Sequence, residues 1–178
     1  MLKTIIMTAA ALTICSTALA EGKVGKPAAA VLAKHKAIMG DECEAELEEQ
    51  SSTYQLNGKK SLVIIPCYMG AYQGSSRVYI VSGNTPDATY VEQVSVLAYD
   101  DSSKGVVGTL DLTSADYDEK TKTLYTFAKG RGIGDCGQSS QSKVIADEYT
   151  VTVKTVEITS KGDCDGNFDA EWPVVFKQ

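Results

Sequence analysis

The sequence predicts a mainly β (α+β) fold: an antiparallel meander of hairpins with a short N-terminal helix, fastened by two disulfides. Three observations carry this. From Ser52 onward, short runs rich in Val, Ile, Thr and Tyr are separated by turn residues. Hairpin follows hairpin without the strand–helix alternation that a parallel sheet requires. Four cysteines remain once an N-terminal leader is set aside, an even count that reads as two bridges in an exported chain.

The leader comes first in the chain. Met1-Leu2-Lys3 brings one positive charge, Thr4 to Ile14 is mostly apolar, and Ala18 and Ala20 satisfy the small-residue rule for signal peptidase. Residues 1–20 are therefore expected to be a signal peptide cut after Ala20, and residues 21–178 a single disulfide-stapled domain. The apolar run is short of the ~20 residues that span a bilayer, so no membrane association is expected after cleavage. Ile14 before Cys15 is too large for a lipoprotein signal. The 158 remaining residues suffice for one hydrophobic core. Losing Lys3 alone among the charges takes the net charge from −6 to −7. An acidic chain without a basic stripe disfavours nucleic acid as a partner.

Ala28 to Met39 is expected to be a helix. Pro27 prepares its first turn, Gly40 ends it, and Val31, Leu32, Ile38 and Met39 form its apolar face. Asp41-x-x-Glu44 has the form of a capping box for a short second helical turn through Leu47. Asn57-Gly58 marks a hairpin between Thr53–Leu56 and Lys60–Cys67. Leu62-Val63-Ile64-Ile65 is apolar throughout, so that strand is expected to be buried on both faces, with Pro66 limiting its ladder. Arg77–Val81 is a strand ended by Gly83–Asp87, and Val91–Tyr99 is another ended by Asp100–Lys104. Gly108–Asp118 and Thr123–Ala128 flank the turn Glu119–Lys122. Ser142–Ile145 and Glu148–Thr159 pair around Ala146-Asp147. Broken alternation in the latter run predicts a bulge. Val174–Phe176 is a last strand.

The cysteines are Cys43, Cys67, Cys136 and Cys164. Of the three possible pairings, Cys43–Cys67 and Cys136–Cys164 are preferred because each joins chain neighbours. In the chain-entropy model each contributes roughly 3 kcal/mol. Zinc is disfavoured, since no C-x-x-C pair exists and an oxidising compartment removes thiolates. No cofactor or metal is expected.

Little in the chain points to catalysis. His35 is the single histidine and has no nucleophile or second ligand near it in sequence, so it is read as a solvated surface residue. Gly132-x-Gly134-x-x-Gly137 matches the dinucleotide fingerprint in letters, but a strand rather than a helix follows it. The loop Lys129–Gly137 is read first as a tight scaffold pinned by Cys136, with Arg131 pairing Asp135 or a backbone carbonyl. As a loop between strands it is also the place for ligand contact, which makes Tyr72, Arg131 and Asp135 the candidate contact residues. Asp163 to Asp169 places oxygens at alternate positions as calcium loops do, but its glycine comes too early for an EF-hand. Tyr68, Tyr72, Tyr79, Tyr90, Tyr99 and Trp172 are expected mostly to pack.

Tyr54-Gln55-Leu56, the apolar strand and Pro66-Cys67-x-x-Gly70-Ala71-Tyr72 form one block of a pattern. Leu124-x-x-Phe127-Ala128-Lys129-Gly130-Arg131-Gly132-Ile133-Gly134-Asp135-Cys136-Gly137 forms a second, and Cys164 followed by Trp172-Pro173 an ending. Over about residues 40–178 the chain resembles the bacterial domain of unknown function numbered 1176. It departs from that pattern at Gln73, where Asn is usual. It departs again at Lys143–Tyr149, where a Trp-x-Trp-Asp-Gly-like stretch is usual. The resemblance implies a periplasmic or secreted protein and carries no activity with it. The Asp118–Leu124 hairpin resembles, over its own length, hairpins of bacterial lysozyme inhibitors. The expected function is a non-enzymatic binding or inhibitory module of the cell envelope, its partner an envelope protein or a lysozyme-like enzyme met through charge steering. An envelope assembly accessory and a carboxylate-based hydrolase are the alternatives.

Overall fold

The computed structural model describes residues 27–83, 90–168 and 170–178. The leader and most of the turn expected at Gly83–Asp87 lie outside the described residues. Helix α1 spans Ala29–Met39, with Ala28 as its N-cap and Gly40, at φ 54°, ending it. Pro27 therefore stands just before the cap rather than in the first turn. Acidic residues follow in a 3₁₀ turn, Ala45–Gln50, capped by Glu44 without a side-chain hydrogen bond, so the expected capping box is not made. The backbone N–H of Glu44 instead donates to the Cys67 carbonyl at 2.8 Å.

The strands are β1 Ser52–Asn57, β2 Lys60–Met69, β3 Gly74–Ser82, β4 Tyr90–Gln93, β5 Val96–Asp100 and β6 Gly105–Thr109. They continue with β7 Leu112–Thr113, β8 Asp116–Asp118, β9 Thr123–Lys129, β10 Gly137–Ala146, β11 Val151–Lys161 and β12 Val174–Lys177. All described pairings are antiparallel. One sheet runs β1-β2-β3-β4 with β7 on β3, a second runs β12-β11-β10-β9-β8, and β5-β6 is a separate hairpin.

Sheet order follows from which faces are apolar. In β2 the side chains alternate between faces. Leu62 and Ile64 meet Val78, Ile80, Leu112, Tyr117, Leu124 and Val144 in one core. Val63 and Ile65 join Tyr79, Val81 and Val31 in another. The first sheet is thus a middle layer, with α1 on one face and the second sheet contributing to the core on the other. That is why Leu62-Val63-Ile64-Ile65 is buried throughout. The two layers are also tied at one end. The Lys60 ammonium, nearly buried, donates to the carbonyls of Asp147 (2.9 Å) and Thr150 (3.2 Å) in the β10–β11 turn.

Several elements differ from the sequence reading. The Val91–Tyr99 run is two strands in different sheets, because the chain leaves β3 after Gln93 and β5 crosses toward β11, where Leu97 N–H donates to Thr155 Oγ1. Gly108–Asp118 is broken into the end of β6 and the short β7 and β8. The first hairpin turns on Gly58-Lys59, one residue later than Asn57-Gly58, with Asn57 paired to Lys60. The β11 bulge is present: Gln141 pairs Glu157 but Ser142 pairs Thr155, leaving Val156 extra.

His35 is the main correction. It is buried, not solvated, at 1% exposure. The face that α1 buries is Val31, His35 and Met39, at i, i+4 and i+8, while Ile38 is exposed. His35 Nδ1 lies 2.8 Å from Tyr79 Oη, and the rings meet edge to face with centroids 5.8 Å apart. Nε2 is buried without a partner among the described residues. Burial lowers the His35 pKa, with Arg77 and Lys36 adding to the effect and Glu48 opposing it. Burial also pushes the Tyr79 phenol up to about 12.

Candidate functional site

Two loops approach each other at one end of the sheets. The β2–β3 connection is a tight turn in which Gly70 N–H donates to the Gln73 carbonyl at 2.9 Å. The β9–β10 connection is the glycine loop, in which Gly130 N–H donates to the Cys136 carbonyl at 2.9 Å. Gln73 joins the loops, its Oε1 accepting from Lys129 N–H at 2.7 Å. Gln73 is one of the positions where the sequence departs from the resembled pattern, and it makes the cross-link between the loops.

Inside the glycine loop, Arg131 donates from Nε to Asp135 Oδ1 at 2.7 Å and from Nη2 to Oδ2. Asp135 Oδ2 also accepts from Gly166 N–H at 2.6 Å. The Asp135 carboxylate has no exposed surface. The Arg131 guanidinium, then the Gly166 N–H, hold its pKa well below the usual carboxylate range, against the cost of desolvation. Three charge-assisted or backbone hydrogen bonds thus occupy Asp135 as the anchor of the loop. Cys136–Cys164 ties the same loop to the segment after β11. The other bridge, Cys43–Cys67, fastens the link between α1 and the 3₁₀ turn to β2. Gly137, at φ 137°, closes the loop where a Cβ would come 2.1 Å from the Ala128 carbonyl oxygen. Only glycine permits that approach. The loop runs from β9 straight into β10, so the helix N-terminus that a phosphate-binding fingerprint needs does not follow it.

The calcium-like segment is turned to another use. Lys161, nearly buried, donates its ammonium to Asp165 Oδ1 and to the Asn167 carbonyl, each at 2.7 Å. The converging oxygens surround an internal ammonium.

Tyr72 remains open. It is 47% exposed, and a Cβ placed on Gly132 would lie 3.5 Å from its ring. That is ordinary van der Waals distance, so the loop backbone at Gly132 lies directly beside the ring. Tyr68 and the next loop residue, Ile133, are also more than half exposed. Tyr68 and Tyr72 line a groove of about 280 Å³ beside the turn. The glycine loop borders a different one of about 340 Å³ with Lys129, Lys161 and Asp101. The three candidate contact residues are therefore neighbours with unlike environments: Tyr72 open, Arg131 half-exposed, Asp135 enclosed. Of the other aromatic residues, Tyr79 packs as expected and Trp172 meets Phe127 at 5.6 Å, whereas Tyr90 is exposed. Tyr68, expected with the other aromatic residues mostly to pack, is exposed instead; its place two residues before the Gly70 turn was the available signal.

Among the described residues, the carboxyls whose pKa departs from the ordinary value all move down. Asp100, Asp118, Asp135, Asp147 and Asp165 are held there chiefly by hydrogen bonds from Ser103, Thr121, Arg131, the Thr150 backbone and Lys161 respectively. A carboxylic general acid needs the opposite shift. Asp118 is spent on its own turn, accepting from Lys120 N–H at 2.8 Å and Thr121 Oγ1 at 2.7 Å. No described helix is long and apolar enough to cross a membrane.

Comparison with known proteins adds a family and no activity. The chain is similar to the uncharacterized protein YpfG of Escherichia coli (strain K12), 28% identical over 131 residues. That alignment covers 73% of this chain and 36% of YpfG, so the chain spans about a third of the length of the curated relative it matches. No solved structure matches it. The family model described as "Protein of unknown function (DUF1176)" matches residues 4–178, a span that contains both loops, both bridges and Tyr72, and the chain belongs to that family.

Proposed function

We propose that this chain is an exported, non-enzymatic binding module of the cell envelope whose recognition face is the β2–β3 turn with the glycine loop behind it. The observation that carries the reading is Tyr72: an aromatic ring left half exposed while glycine, disulfide and ion pair fix the loop that backs it. Exposed aromatic side chains on a rigid frame are the usual anchors of recognition. The two bridges and the sequence of residues 1–20 support residence in the periplasm or outside the cell.

The test compares wild type with Tyr72→Ala. Immobilised mature chain, residues 21–178, is exposed to envelope extract, and the material retained by each form is identified. A component held by wild type and released by Tyr72→Ala is the expected result. Identical retention by the two forms refutes the assignment of the face. A parallel lytic assay with several lysozymes addresses the inhibitory version, which undiminished lysis at micromolar excess removes.

A further inference from the structure

The groove beside Tyr72 has a chemistry that sets it apart from the other clefts described. The cleft along the glycine loop is lined by Asp101, Lys129 and Lys161, and that beneath α1 by Lys36, Asp41 and Glu48. The groove at the β2–β3 turn carries no Lys, Arg, Asp or Glu among its described lining residues, although the chain as a whole has net charge −6. Tyr68 and Tyr72, 55% and 47% exposed, line it with Gln73, Ser75 and Thr113; the Gln73 Oε1 is taken by Lys129 N–H, and the Lys129 ammonium, outside the lining, is turned to the Tyr72 carbonyl at 3.4 Å.

Two lining residues, Gly70 and Gly74, bring the turn backbone close to Tyr68. A Cβ at Gly74 would lie 2.9 Å from the Tyr68 carbonyl oxygen, and one at Gly70 would lie 3.4 Å from Tyr68 Cε1. At about 280 Å³ the groove is just under the ~300–1,000 Å³ of drug-sized pockets, which suits one ring rather than an extended ligand.

Resting on the binding-module reading above, we propose that this groove holds a neutral pyranose unit of an envelope glycan. A pyranose presents an apolar C–H face and a rim of hydroxyls that both donate and accept. The first matches an aromatic ring face, and the second matches hydroxyls and an amide without requiring a formal charge. A charged ligand meets no charged side chain in the lining, and an aliphatic one leaves its polar side chains unmatched.

The experiment is a ¹⁵N amide titration of the mature chain with N-acetylglucosamine trimer, and separately with cellotriose, each to ~10 mM, which reaches millimolar binding. The acetylated probe represents a peptidoglycan-type glycan and the glucose probe an unsubstituted one. The expected result is saturable shifts at Gly70, Gly74 and Thr113 with one or both probes. Tyr72→Ala and Tyr68→Ala should each weaken binding at least tenfold, Tyr72→Phe less than threefold, and Tyr149→Ala, outside the groove, not at all. Unchanged melting of the alanine variants confirms that they fold. The glycan assignment fails if neither neutral trimer shifts these amides, if the cationic glucosamine trimer binds more tightly, or if a lysozyme perturbs them instead. In those cases a partner still released by Tyr72→Ala keeps the binding face and removes only the ligand class. Loss of both results removes the face itself.

Discussion

Removing the Tyr79 hydroxyl should destabilise the fold through His35. In Tyr79→Phe, His35 Nδ1 loses its 2.8 Å partner, and Nε2 already has none among the described residues. A buried polar group stripped of its only partner costs about 1–3 kcal/mol. For a chain of this length that lowers Tm by about 2–4 °C per kcal/mol. In a His35→Leu background the same change removes a hydroxyl that is itself unpaired, so it should cost nothing or stabilise. The double-mutant cycle should give a coupling of about 1–3 kcal/mol. Acidity provides a second reading of the same pair. The His35 pKa lies below 6.5 in the folded state, so below that pH the unfolded chain takes a proton that the folded one refuses. Stability is therefore complete above pH 6.5 and declines as the pH falls below it, with a slope of at most ~1.4 kcal/mol per pH unit. The groups facing His35 are Glu48, Arg77 and Lys36. The chain has no second histidine to blur the signal. Urea melts followed by circular dichroism between pH 7 and 5 measure both effects. A cycle additive within ~0.5 kcal/mol, or an unchanged slope in His35→Leu, would refute the account.

Four further outcomes follow from the bridges, the glycines and the Lys60 tie. Replacing Cys136 and Cys164 together by alanine should lower stability by about 3 kcal/mol, read from urea melts, since that bridge closes a loop of sequence separation 28. Gly137→Ala should prevent folding or cost more than ~3 kcal/mol, because its Cβ would enter the Ala128 carbonyl. Gly166→Ala, at φ 80° with open space around it, should cost only ~1 kcal/mol in the same melts. Lys60→Met should weaken the fold by about 1–3 kcal/mol, since it strips two carbonyls of a nearly buried ammonium donor; an unchanged midpoint would count against that tie.

The strands were readable where apolar character and turn residues agreed, as at Leu62–Ile65 and at the Glu119–Lys122 turn. The bridges were readable because each pair is close in sequence. What escaped the sequence depended on contacts between distant segments. Gln93-Val94-Ser95 carries no glycine or proline, so nothing local signals that the chain changes sheets there. On α1, Val31, Leu32 and Met39 pack as expected, but Ile38 was misplaced because alanines blur the apolar stripe, and His35 was missed because a histidine becomes a core residue only once Tyr79 is known to lie opposite. At the site, Arg131 and Asp135 lie four residues apart and their pairing was legible. The approach of Gly132 to Tyr72, across 60 residues, was not.

The two bridges close rings that do not overlap along the chain: 43 to 67 and 136 to 164. No covalent link other than the backbone spans the stretch from 68 to 135. A single proteolytic nick there would yield two fragments that separate on denaturing gels without any reductant, whereas a nick within either ring would leave the chain in one piece until reduced. The hold of one half upon the other is thus wholly non-covalent, and reassociation of the two purified halves would measure it directly.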